Sequence, residues 1–175
     1  MPLKDIAGTR VRVLFIGINP GLRSEAVGHH FAGPSNRFWR LLFESALLPE
    51  PLGYADDERL PEWGYALTNV VARATSGSSE LTRDDFTRGA QLLLRKIEVW
   101  RPEIVAPVGV SVWRALGAAA GIEGVARGRL TLGLQPVTLG GAPVYLLPNP
   151  SGRNAHVSHA SSLEAFTGLR RLLDA

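Results

Sequence analysis

Residues 11–21 read VRVLFIGINPG, an apolar, partly β-branched run that breaks off into two glycines and a proline. A run of this kind suits a strand buried on both faces, as in the parallel sheets of α/β domains. The Gly17-Ile18-Asn19-Pro20-Gly21 segment that ends it makes a stiff, tight turn whose backbone N–H groups can approach a ligand closely. Two further apolar strands are expected at residues 104–108 and 144–147, with a short apolar segment at 67–71 and an ambiguous Gly-rich stretch from 121 to 141. Between them the period changes to that of helices. Phe38, Leu41, Leu42 and Ser45 follow helical spacing, and Thr82-Arg83-Asp84-Asp85 resembles a capping box that opens a helix with Phe86, Ala90, Leu93, Leu94 and Ile97 on one face. Arg101-Pro102 ends that helix, and others are expected at residues 111–119 and about 161–173. Strands alternating with helices imply a mostly parallel sheet covered on both faces.

The rest of the composition narrows the class. With 175 residues, 45% of them hydrophobic, the chain fits one compact domain and a sizeable core. No apolar run approaches the ~18 residues of a membrane span, and residues 1–10 lack the features of a signal peptide. There is no cysteine, hence no disulfide, thiolate nucleophile or cysteine-ligated metal. The expectation is a soluble, cytoplasmic monomer needing no metal or organic cofactor. A net charge of +3 and a pI near 9.8, carried almost wholly by arginine, suit an anionic partner but equally reflect base composition of the coding sequence.

Ligands of open parallel sheets bind beyond the carboxyl ends of strands. GINPG and Asn149-Pro150-Ser151-Gly152 both follow apolar strands, so they are expected to face one cleft. Asn19 either satisfies its own turn or offers the cleft an amide, which hydrogen-bonds but cannot act as a base near neutral pH. His29 and His30 are neighbours without further spaced ligands, a poor metal site. Phe31 sits in a Gly/Pro-framed loop, where a flat ring can stack on a nucleobase. Phe38 and Trp39 read as helix core.

GINPG followed by GHHFAGPSNRFW at residues 28–39, then GYALTNVV at 64–71 and NPSG at 149–152, resembles in order the motifs of the Mug/thymine-DNA glycosylase family within the uracil-DNA glycosylase superfamily. With the helical region at 81–100, the resemblance covers nearly the whole chain. It implies a three-layer α/β/α domain with a short, mostly parallel central sheet, and a partner that is double-stranded DNA carrying a mismatched or damaged base. The implied reaction flips the nucleotide out and hydrolyses its N-glycosidic bond. By the same resemblance Asn19 orients the water, with Thr68 assisting, and Ile18, His30, Phe31 and Asn149 contact the base. For His30 and Thr68 ordinary loop hydrogen bonding stands as the alternative. Ser151, Gly152, Arg153 and Asn154 form the loop that enters the vacated stack and meets the opposing base. Arg153 stands where bacterial Mug proteins carry leucine and vertebrate thymine-DNA glycosylases arginine; a phosphate contact is its other reading. Asn19 and Asn149 replace the Asp and His of better-equipped uracil glycosylases, which implies slower chemistry. The absence of lysine from both motifs leaves no Schiff-base nucleophile there. A sister glycosylase for hypoxanthine or ethenocytosine, a non-catalytic damaged-DNA binder, and an unrelated small-molecule domain are the competing readings.

Overall fold

The computed structural model describes residues 2–153 and 156–175. Its centre is a five-stranded sheet in the order β2-β1-β3-β5-β4. Strand β1 (Val13–Gly17) lies between β2 (Tyr65–Asn69) and β3 (Ile104–Pro107), parallel to both. Strand β5 (Ala142–Leu146) continues parallel to β3, and β4 (Gly133–Leu139) closes the edge antiparallel to β5. The ambiguous stretch before Gly141 therefore resolves into a hairpin partner, with Pro136 on an edge where a missing N–H is tolerated.

Alternation along β1 sorts the core into two layers. Val13 and Phe15 point to one face, where Phe38, Trp39 and Leu41 of α2 (Phe38–Glu44) and Phe166 and Leu169 of the C-terminal helix (His159–Asp174) cover them. Leu14 and Ile16 point to the other, under Leu93 and Ile97 of α3 (Arg83–Trp100) and Trp113 and Leu116 of α4 (Val110–Ala120). The C-terminal helix is α5. All five residues of β1 are buried, as a strand covered on both faces requires. The result is the expected single α/β/α sandwich.

Thr82 caps α3 as anticipated: its hydroxyl accepts from Asp85 N at 3.1 Å, and Asp85 Oδ2 accepts from Thr82 N at 2.8 Å. Two short elements go beyond the sequence reading. Helix α1 (Leu22–Val27) has no side-chain cap and is stopped by Gly28 at φ 76°. A 3₁₀ stretch, Tyr54–Trp63, carries the buried Asp57.

Candidate active site

The carboxyl ends of β1, β2, β3 and β5 open on one recess of about 420 Å³, walled by Ile18, Asn19, His30, Phe31, Asn69 and Asn149 among others. A larger groove of about 570 Å³ runs between residues 2–7 and α1. Size does not select the site here. Strand ends and convergent polar groups do, and these meet in the smaller recess.

The loop after β1 is sewn to the chain that leaves β2. Val70 N donates to Gly17 O and Val71 N to Ile18 O, each at 2.9 Å, and Thr75 N donates to Pro20 O at 3.2 Å. On this support the Asn19 amide spends its Nδ2 donors on Arg73 O at 2.9 Å and Thr75 Oγ1 at 2.8 Å. A carbonyl can only accept, so the atom facing Arg73 O is the nitrogen, and Oδ1 is the group left to accept from the recess. Arg73 is itself tied to Asp85 at 2.8 Å. The Thr82 backbone N–H and the Arg73 guanidinium hold the Asp85 carboxyl down to about 2, so that tie stays ionised at neutral pH. The orientation of Asn19 thus traces back to the cap of α3. Thr75, 5% exposed, escaped the sequence reading. A polar Thr-Ser-Gly run just past a strand was the available signal.

The second wall is the segment after α1. Asp57, 1% exposed, accepts from His30 N at 2.9 Å and pairs with His29 Nδ1 at 2.8 Å. His30 Nε2 lies 2.7 Å from Lys4 O, so Nε2 carries the proton and Nδ1 is an acceptor. Burial pushes this imidazole below its ordinary 6.5, against the pull of the Lys4 carbonyl. Phe31 follows at φ 52°, a left-handed conformation unusual for a bulky residue. Its ring stacks on Phe38 with centroids 4.0 Å apart and planes at 22°.

Asn69 stands opposite Gly17 in the β1–β2 register. A Cβ at Gly17 would overlap Asn69 Oδ1 and come 3.8 Å from Phe31 Cζ, so the missing side chain is what lets amide and ring share one wall. Thr68, expected in the pocket, is not there. It is 2% exposed and faces α3, donating to Asp5 Oδ1 at 2.7 Å and accepting from Lys96 Nζ at 3.2 Å, while Lys96 and Asp5 pair at 2.8 Å. Adjacent strand residues point to opposite faces, and the odd-numbered one takes the pocket. Thr68→Ala therefore lowers stability by about 1 kcal/mol and leaves activity close to wild type. Thermal unfolding beside a single-turnover assay reads both; a large rate loss at unchanged stability would return Thr68 to the chemistry.

From β5 the chain enters the third wall. Asn149 is exposed at the recess, and its Oδ1 accepts from Ser151 N at 2.9 Å. Pro150 O accepts from Arg37 N at 2.9 Å, and Gly152 lies so close to Ser35 that a Cβ there would overlap it. Arg153 N donates to Ser151 Oγ at 3.3 Å, and its side chain stays exposed beside the recess. Asn154 lies outside the described residues. The structure thus brings Ile18, Asn19, His30, Phe31, Asn149, Ser151 and Arg153 to one recess, keeps Gly152 in the loop behind it, and excludes Thr68.

His30 also sets a pH dependence of stability. The unfolded chain binds a proton near 6.5 and the native one only at lower pH, so stability is full above 6.5 and declines as pH falls below it toward the native value. Unfolding midpoints from about pH 8 down to about pH 5 should show this decline, weakened in His30→Gln. An unaltered profile in that variant would contradict it.

Residues 4–172 match the family model of the uracil DNA glycosylase superfamily. Among solved structures, the chain is similar to a solution structure described as a candidate uracil DNA glycosylase from Methanosarcina acetivorans. The two share 17% identity at a TM-score of 0.67, over 99% of this chain and 98% of that one.

Proposed function

Because the chain belongs to the uracil DNA glycosylase superfamily and is thereby a DNA glycosylase, we propose that it excises uracil and related mispaired bases from duplex DNA, especially opposite guanine, in the manner of the Mug/thymine-DNA glycosylase branch. The carrying observation is the Asn19 amide, whose donors are both spent on the protein and whose Oδ1 remains to accept from a water. Base loss of this kind is dissociative. The C1′–N bond lengthens, the base departs with the electron pair, and the sugar gains oxocarbenium character before water adds at C1′. An amide oxygen suffices for that water, because attack on a cationic carbon needs orientation more than a strong base. The water's proton then passes to the departing base or to solvent. Phe31, backed by Phe38, offers a stacking face for a flipped base, and the Asn69 amide can pair with an adjacent donor and acceptor on a pyrimidine edge. His30, held neutral, adds no cation for the leaving base, which favours bases that depart easily.

The test is single-turnover release of uracil, thymine and hypoxanthine from duplex and single-stranded DNA. Uracil opposite guanine should go fastest, and binding without turnover would overturn the proposal. Arg153 serves as the wedge that fills the vacated stack. In Arg153→Ala the loss on A·U exceeds that on the more easily flipped G·U by about tenfold, or 1.4 kcal/mol. Equal losses on both would leave Arg153 a phosphate contact.

A further inference from the structure

The loop of Asn149–Arg153 has two sides. One faces the base recess. The other faces a second recess of about 440 Å³, floored by Leu130, Leu132, Pro148 and Val157, with Arg153 and His156 at its rim. Leu130 and Leu132 come from the end of the chain between α4 and β4, residues 121–132, which is fastened rather than loose. Arg114 Nη2 donates to Gly128 O at 2.6 Å, Ile122 N donates to Gly117 O at 2.8 Å, and Val125 is buried at 4% exposure in the core layer under α4. The fastening leaves Arg127 and Arg129 exposed on either side of the pinned Gly128. Neither arginine has a hydrogen-bond or ion-pair partner among the described residues. These two cations sit on an anchored loop that runs directly into Leu130 and Leu132 of the recess floor, and they are unpaired among the described residues.

We propose that residues 127–132 and this recess hold the sugar–phosphate backbone of the strand opposite the flipped nucleotide. The inference rests on the glycosylase reading above. If a nucleotide swings into the base recess on one side of the Asn149–Arg153 loop and Arg153 stands in its place, the strand that stays stacked must pass on the other side. There the apolar floor meets deoxyribose C–H surface and the guanidiniums meet phosphates. Two residues span at most about 7 Å of chain, so Arg127 and Arg129 reach neighbouring phosphates of a single strand.

The test compares full-length wild-type protein with the double variant R127A/R129A. Each binds a duplex carrying a tetrahydrofuran abasic analogue opposite guanine, and the same lesion strand alone, over a series of salt concentrations. For the duplex, the slope of log affinity against log salt should flatten by about 1.8, at 0.9 per lost phosphate contact. The ratio of duplex to single-strand affinity should fall by about tenfold. Arg127→Glu with Arg129→Glu should deepen both effects, and the fastening through Val125 and Gly128 leaves folding untouched, as circular dichroism would verify. Equal losses on duplex and single strand would overturn the assignment to the opposite strand. Unaltered binding to both would overturn the surface itself. Wild-type protein that released no base would instead defeat the glycosylase reading while leaving this comparison readable.

Discussion

Asn19→Ala releases uracil about 10²–10³-fold more slowly than wild type while keeping its fold and its DNA affinity, the usual cost of one preorganised polar contact in an active site. The rate falls because the side chain is fixed before substrate arrives. Arg73 O and Thr75 Oγ1 take both amide protons, so Oδ1 does not have to reorient at the moment of reaction. The fold survives because the loop is held by backbone bonds from Val70, Val71 and Thr75. The truncation exposes one carbonyl at a solvent-open recess. Thr75→Ala, which removes one of the two anchors and leaves Oδ1 in place, should give a smaller loss in the same single-turnover assay. Wild-type rates in a folded Asn19→Ala protein would remove the residue from the mechanism.

Phe31→Ala is the second large effect. Stacking of a base on an aromatic ring contributes about 1–3 kcal/mol, so release at subsaturating protein should drop by about 10- to 100-fold. Stability changes as well, for a separable reason. Phe31 holds a left-handed backbone that costs an L-residue about 1–2 kcal/mol, and its ring repays this by covering Phe38. Phe31→Gly removes the same ring and also relieves the backbone. Both variants should therefore lose activity alike, with the glycine form melting higher. A glycine variant that recovered activity along with stability would mean that the ring only packs.

The fold was legible wherever one face or both of an element had to be buried. The apolar run into GINPG identified the central strand, and Thr82 with Asp85 identified the start of α3, because those signals are local. The site was legible where backbone chemistry forced it, in the Gly/Pro turn that carries Asn19 and the framed loop that carries Phe31. Thr68 and Asn69 show what local reading lacks. They are adjacent polar residues on one strand, and one step of register decides which faces Phe31 and which faces Lys96. That register depends on pairing with β1, about fifty positions earlier in the chain. The tie of Asp5 to Lys96 spans a still longer separation, and no spacing rule reaches it.

The sheet order also governs how the molecule assembles. Val13 pairs with Tyr65 on one side and Ile104 on the other, so the central strand acquires neighbours only after two long loops have closed. The β4–β5 hairpin and the helices need no such closure and can form early. The loops after β1 and β5, which form two walls of the recess, hang from strands whose pairing carries that closure cost. The recess is therefore complete only once these long-range pairings are made, so its geometry rests on contacts distant in sequence.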